Sequence, residues 1–155
     1  MKGYLRNPEA TAEVFHEGRD SDGLGWFRTG DAGYLEDGYL FIHDRVKDMI
    51  VSGGENIYPA EIENVLMGHP DVADVAVICV PSERWGETVK AMVVTRSGGE
   101  VTDEVLIEYC RERLARYKCP TSIDRIDALP RNPSGKILKT ELREPYWAGR
   151  ARRVN

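Results

Sequence analysis

The chain has 155 residues, of which 41% are hydrophobic, and this is enough for one domain with a buried core. Its formal charge is −5 and its basic residues are spread along the chain except at the C-terminal end, which gives nucleic-acid binding no electrostatic support. Because no apolar run is long enough to span a membrane and residues 1–15 lack the layout of a signal peptide, we expect a cytoplasmic protein without a transmembrane segment, and we leave peripheral membrane association open.

The cysteines and histidines predict neither a disulfide framework nor a metal site. The three cysteines form no C-x-x-C pair, and the three histidines lack ligand spacing. Cys79 lies inside an apolar run, and Cys110 shares a helix face with Leu106 and Leu114. We predict that both thiols are buried and have no chemical role.

The N-terminal third carries one clear element. Residues 1–31 have little periodic apolar pattern, which is more typical of the margin of a larger body than of a domain. Residues 33–44 contain two apolar runs separated by Asp37-Gly38, a pair that tolerates positive φ, and they predict a β-hairpin.

The rest of the chain mixes strands and helices without a strict βαβ repeat. A short strand at 49–51 and a turn at 52–56 precede a helix that begins at Pro59 and ends before Gly68. Further predicted elements are strands at 72–80, 89–96 and 122–127, a helix from Thr102 to about Arg116, and a short last helix near 139–143. The predicted class is α+β, a small mixed sheet with helices packed on it.

The stretch "PSGKILKT" at 133–140 places a lysine directly after a glycine. It is not a phosphate-binding P-loop, because Pro130 stands where that motif needs its first glycine and Ile137 stands where it needs a hydroxyl. Taken alone, Lys136 is interpreted as a surface lysine in a turn rich in proline and glycine.

Three stretches together change that interpretation: "GWFRTGD" at 25–31, "DRVKDMIVSGGENI" at 44–57 and "PRNPSGKILKTELR" at 130–143. In this order and spacing they closely resemble three signature motifs of the adenylate-forming superfamily, in particular the acyl-CoA synthetases of the fatty-acid–CoA ligase type. The likeness covers nearly all of the chain up to about residue 145.

The resemblance implies a set of nucleotide-binding residues. Asp31 offers two acceptor oxygens to the ribose hydroxyls of ATP, and its alternative role is to form a turn. Arg45 offers donors to the same sugar, and its alternative is a salt bridge to Asp44 or Asp48. Asn56 matches a contact to the nucleotide phosphates.

The second motif also implies a hinge and a binding site for coenzyme A. Lys47 matches the position about which the C-terminal domain of these enzymes swings between two half-reactions. Gly53 and Gly54 match the loop beside the pantetheine arm of CoA, with a plain β-turn as the other interpretation. We also assign Lys118 to CoA binding, with a structural role as the alternative.

Lys136 matches the catalytic lysine of the family. Acyl-adenylate formation brings a carboxylate onto the α-phosphate of ATP, and a desolvated ammonium between the two anions offsets their repulsion. We expect the lysine to lie on a mobile loop that leaves once this step is over.

The resemblance divides the chain into a strip of the N-terminal β-barrel at 1–44, a C-terminal lid at 45–145 and a basic, solvated tail at 146–155. We expect it to be the C-terminal part of a fatty-acid–CoA ligase, inactive alone. The full-length enzyme would use ATP, CoA and Mg²⁺, and its N-terminal domain would bind the fatty acid or other carboxylate. We also expect self-association through surface that the N-terminal domain would cover. Alternatives are an aryl-acid or other acid–CoA ligase, a peptide-synthetase adenylation domain and a free-standing, non-catalytic interaction module.

Overall fold

A computed structural model of the chain describes residues 1–15, 17–18, 23, 25–96 and 101–149. The N-terminal segment contains a short helix, α1, over Pro8–Val14, which the sequence pattern did not predict. Asn7 caps it by accepting a hydrogen bond from the backbone N–H of Ala10, and Pro8 suits its first turn. It buries none of its own residues, which explains why no apolar periodicity marks it.

The predicted hairpin is confirmed. Strands β1 (Asp31–Glu36) and β2 (Tyr39–Arg45) pair antiparallel as a two-stranded sheet of their own. Asp37 and Gly38 both have positive φ, at 50° and 80°, which is the backbone that a two-residue hairpin turn needs. Its exposed apolar side chains include Leu35, and self-association through this surface stays a prediction.

The remaining elements are β3 Ile50–Ser52, β4 Glu55–Ile57, α2 Pro59–Met67, β5 Val72–Ser82, β6 Gly86–Thr95, α3 Asp103–Arg111, β7 Ser122–Arg125 and α4 Lys139–Trp147. These strands form one mixed sheet in the order β4-β3-β6-β5, with β7 also paired to β6. Among the described strands of this sheet, only the β6–β7 pair is parallel. The predicted α+β class is confirmed.

The two longest strands, β5 and β6, are buried on both faces. Alternate side chains, such as Val77 and Cys79, join a cluster with α2 and α3 on one face. The intervening side chains, such as Ile78, pack with Leu142 of α4 on the other. Cys79 and Cys110 are buried as predicted, and burial raises the pKa of the Cys110 thiol to about 12.

Two helix ends differ from the sequence prediction. Helix α3 ends at Arg111 rather than near residue 116, because residues 112–113 form a turn and residues 116–118 form a separate 3₁₀ turn. Helix α4 continues through Pro145 to Trp147.

The prediction of a solvated tail is wrong at Trp147. Its side chain packs against the core, and its indole N–H donates to the carbonyl of Cys79 at 3.1 Å. Residues 150–155 of the predicted tail lie outside the described residues. No helix among the described residues is long and apolar enough to cross a membrane.

Candidate functional site

Asp31 and Arg45, both assigned to the ribose, are brought together by the hairpin. They are register partners at the open end of β1 and β2, and Arg45 Nε lies 3.0 Å from Asp31 Oδ1. The guanidinium also donates to the carbonyl of Thr29 at 3.0 Å. Both side chains remain partly exposed, at 48% for Arg45 and 31% for Asp31, so the pair is accessible to a ligand.

The alternative partners considered for Arg45 are occupied differently. Asp44 accepts a hydrogen bond from the backbone N–H of Arg45, at 2.7 Å, and not from its guanidinium. Its other carboxylate oxygen accepts from the backbone N–H of Ala60, in the first turn of α2, at 2.9 Å. Asp48 instead pairs with Arg143. Asp44 therefore ties the hairpin to the N-terminus of α2, where an anionic side chain is favourable.

An aromatic stack makes a second connection between the hairpin and α2. The ring of His43 on β2 lies 4.9 Å from the ring of Tyr58, with an interplanar angle of 16°. On its other side His43 stacks on Tyr34 at 5.1 Å. The Asp44–Ala60 hydrogen bond and the His43–Tyr58 stack thus join the hairpin to the start of α2, and residues 46–48 lie between these elements in the sequence.

The predicted hinge residue Lys47 lies in a 3₁₀ turn over Val46–Asp48. The N–H of Met49 closes the turn on the carbonyls of Arg45 and Val46. A guanidinium nitrogen of Arg143, on α4, reaches the carboxylate of Asp48 at 3.1 Å and the carbonyl of Lys47 at 3.4 Å.

Gly53 and Gly54 form the two-residue turn between β3 and β4. Their φ values are 60° and 91°, so both occupy a region that favours glycine. The N–H of Gly53 donates to the carbonyl of Trp85 at 3.0 Å, and a Cβ at Gly53 would lie 2.8 Å from Cε3 of that indole. The turn interpretation is confirmed, while CoA binding at this turn stays a prediction.

Asn56 and Lys118 line one cleft of about 530 Å³ between β2, β4 and α2. Lys118 does not present a free cation there, because its ammonium contacts both carboxylate oxygens of Glu61, at 2.8 and 2.7 Å. These hydrogen bonds raise the pKa of Lys118 against the opposing effect of desolvation. This arrangement favours the structural alternative for Lys118 in the observed conformation.

The loop that carries Lys136 is braced rather than slack. The side-chain oxygen of Asn132 accepts from the N–H of Ser134, its hydroxyl and the N–H of Lys136, at 2.8–3.0 Å. Arg131 donates to the carbonyl of Gly135 at 2.7 Å and pairs with Asp74 on β5 at 2.6 Å. These contacts fix the loop to the sheet in the observed conformation, and the mobility of the loop stays a prediction.

Lys136 stands exposed at the tip of this loop. Among the described residues, its ammonium makes no hydrogen bond or ion pair, and none joins it to Asp31, Arg45 or Asn56. The predicted ribose pair and the predicted catalytic lysine therefore share no direct contact in the described part of the chain, and residues 46–48 lie between the two groups in the sequence.

Sequence reasoning missed three residues that hold this arrangement: Glu61, Trp85 and Arg143. Each acts through a partner far away in the chain, such as Asp48 for Arg143, so no local spacing marks it. For Arg143, the signal in the sequence that could have pointed to it is its place at the end of the signature stretch 130–143.

The residues present fit a nucleotide sugar. Arg45 contacts one carboxylate oxygen of Asp31, and the carboxylate stays partly exposed at the end of the hairpin, where it can accept hydrogen bonds from sugar hydroxyls. A metal is different. In the described part of the chain, no three or more His, Cys, Asp or Glu side chains cluster as ligands, so the expected Mg²⁺ is assigned no residue here.

Comparison with known proteins supplies the family. The model of the AMP-binding enzyme C-terminal domain matches residues 61–136. The chain is 54% identical over 149 residues to a long-chain-fatty-acid–CoA ligase of Mycobacterium tuberculosis, covering 96% of this chain and 28% of that protein. It is 51% identical over 147 residues to a feruloyl-CoA synthase of Amycolatopsis, covering 94% and 28%. The chain thus spans about 28% of the length of these curated relatives.

One solved relative allows two conformations to be compared. ATP-bound MatB from Rhodopseudomonas palustris is 40% identical, with 94% of this chain and 28% of that chain covered, and gives a TM-score of 0.81. Its apo form, at the same identity and coverage, gives 0.68. Since the sequence is matched equally well, the difference is one of shape, and this chain is closer to the ATP-bound shape. The chain belongs to the adenylate-forming superfamily and corresponds to the C-terminal part of its acyl-CoA synthetases.

Proposed function

We propose that this chain is the lid, with its adjoining hairpin, of an ATP-dependent fatty-acid–CoA ligase. Such an enzyme joins a carboxylate to the α-phosphate of ATP with release of pyrophosphate, then transfers the acyl group to the thiol of CoA with release of AMP. One observation carries the proposal: an accessible Asp31–Arg45 pair precedes the segment 46–48 in the sequence, and an exposed Lys136 on a braced loop follows it.

Asp31 and Arg45 orient the nucleotide. The carboxylate of Asp31 accepts the ribose hydroxyls, while Arg45 holds that carboxylate in place and offers its remaining donors to the same sugar. Asn56, exposed on β4, contributes an amide donor to the phosphates. These contacts fix the α-phosphate relative to the incoming carboxylate, which removes much of the entropic cost of the reaction.

Lys136 supplies the charge for the first step. Negative charge builds on the α-phosphate as the carboxylate oxygen attacks, and an ammonium placed between these anions stabilises the transition state. Its lack of an ion-pair partner among the described residues leaves the ammonium available for the two anions. The compact ammonium at the end of a long stem reaches between two reacting groups better than a planar guanidinium.

The second step uses the other motif residues. Rotation about Lys47 removes Lys136 and brings the Gly53–Gly54 turn to the pantetheine arm of CoA, where the absence of side chains permits close approach. Lys118 reaches an anionic group of CoA only if it releases Glu61. ATP and CoA are the co-substrates, and the expected Mg²⁺ is assigned no ligand among the described residues.

Fatty acids are the proposed acid class because the long-chain-fatty-acid–CoA ligase is 54% identical to this chain. The feruloyl-CoA synthase, at 51%, is nearly as similar and makes an aryl acid the alternative. We expect residues outside this chain to bind the acid, so the two classes are separated by assay.

The test is a chimera in which this chain replaces the matching 149 residues of the Mycobacterium tuberculosis ligase. We expect ATP–pyrophosphate exchange with fatty acids from the chimera and none from the 155 residues alone. Lys136→Ala in the chimera should lower adenylate formation by about 100- to 1,000-fold, as loss of one transition-state charge contact does.

The same variant contains its own control. Supplied with preformed acyl-adenylate and CoA, Lys136→Ala should release AMP at nearly the parent rate, because this step does not use the lysine. An equal defect from the preformed adenylate would assign Lys136 a structural role and contradict the proposed mechanism.

A further inference from the structure

Polar and aromatic side chains on one face of α4 fix this helix to the lid. Residues 139, 143, 146 and 147 are spaced i, i+4, i+7 and i+8, so they lie on one side of the helix. Three of them bind the body of the lid: Lys139 pairs with Glu63 of α2 at 2.8 Å, Tyr146 donates to Asp124 of β7, and Trp147 donates to Cys79 of β5. The helix is therefore held along its whole length.

The fourth residue, Arg143, binds the hinge segment. Its Nη1 donates to Asp48 Oδ1 at 3.1 Å and to the carbonyl of Lys47 at 3.4 Å. The side chains of Arg143 and Asp48 are only 13% and 14% exposed. A pair so far removed from water is costly to break, since either charge would remain buried without its partner.

We propose that Arg143 is a positioning residue that fixes the lid side of the hinge and joins it through α4 to Lys136. The inference rests on the proposed function. The contact with Arg143 restrains the Lys47 carbonyl and Asp48. The rotation of the lid therefore occurs in the backbone that precedes the Lys47 carbonyl. Lys136, only three residues before α4, then moves with Asp48 as one body.

The first test needs no activity. In the 155-residue chain, amide hydrogen exchange of residues 46–49 reports opening of the hinge turn, where Met49 N–H is bonded to Arg45 and Val46. Arg143→Ala should speed this exchange by about 10- to 100-fold, the effect of losing one hydrogen bond between charged groups. The control, Arg125→Ala, removes an Arg–Asp pair between β7 and Asp103 of α3 and should leave exchange at 46–49 within about twofold.

A charge reversal distinguishes the pair from general loosening of the fold. Asp48→Arg combined with Arg143→Asp should restore slow exchange at 46–49, whereas either change alone should not. Unchanged exchange in Arg143→Ala, or equal acceleration in Arg125→Ala, would overturn the proposal.

The second test uses the chimera defined above. Arg143→Ala should lower adenylate formation by about 10- to 100-fold, since small misplacement of a catalytic group has effects of this size. Thioester formation from preformed acyl-adenylate should change by less than about threefold. Equal losses in both steps would make Arg143 purely structural. An inactive parent chimera would instead count against the proposed function, and the exchange measurement would still decide the role of Arg143.

Discussion

The turn at Gly53–Gly54 offers a matched pair of substitutions whose costs differ for one structural reason. Both glycines have positive φ, at 60° and 91°, so alanine at either position meets backbone strain. Only at Gly53 would the new Cβ also meet an atom, Cε3 of Trp85, at 2.8 Å, whereas nothing lies within 4 Å at Gly54. Gly53→Ala should therefore destabilise the chain more than Gly54→Ala.

The expected magnitudes follow from these two terms. Left-handed backbone costs a residue with a Cβ about 1–2 kcal/mol, which is the whole effect expected at Gly54. Displacement of a packed ring adds about 1–3 kcal/mol, so Gly53→Ala should lose about 2–5 kcal/mol of unfolding free energy. The indole of Trp85 is 47% exposed and has room to shift, which favours the lower half of that range.

Urea unfolding of the 155-residue chain measures both losses. Trp85→Leu provides the control, since a shorter side chain removes the close contact, and Gly53→Ala should cost in that background no more than Gly54→Ala does. Equal costs for the two glycine variants with Trp85 present, or no recovery with Trp85→Leu, would refute the reasoning.

Two further predictions concern the anchors of α4. Trp147→Phe retains an aromatic ring but removes the donor to the Cys79 carbonyl, so urea unfolding should show a loss of about 1–3 kcal/mol, and no loss would return Trp147 to a solvated tail. Hydrogen bonds from Lys90 and then Tyr146 hold the pKa of Asp124 below its ordinary value of 3.8, so the stability it contributes is present above that pH and is lost as pH falls through the folded pKa. Asp124→Asn should therefore unfold with a flatter dependence on pH below about 4 than the parent, and identical pH profiles would show that Asp124 contributes nothing.

Local sequence signals predicted those parts of the fold that local chemistry decides. Asp37-Gly38 and Gly53-Gly54 both form the turns that their tolerance of positive φ predicts. Pro59 stands at the first turn of α2 for the same kind of reason, since its fixed φ suits that position. Such elements need no partner elsewhere in the chain.

Features that depend on distant partners were not predictable. Trp147 looked like part of a polar tail because its partner, Cys79, is 68 residues away. Lys118 looked like a free cation because Glu61, its partner, is 57 residues away. Sequence alone places the candidate site on the chain, but it does not show which of its charges are already neutralised.

In the proposed mechanism, the bracing of the Lys136 loop indicates where the motion between the two half-reactions occurs. Asn132 and Arg131 fix the loop to itself and to β5, and Arg143 fixes α4 to Asp48, so movement of the loop relative to the rest of the lid would break several hydrogen bonds. On the other side, Val46 N–H donates to the Gly30 carbonyl at 2.8 Å and belongs with the hairpin. The backbone between Val46 N–H and the Lys47 carbonyl is the short link between these two braced bodies. A rotation there moves Lys136 away from the Asp31–Arg45 pair without loss of the loop contacts, although it must break the His43–Tyr58 stack and the Asp44–Ala60 hydrogen bond.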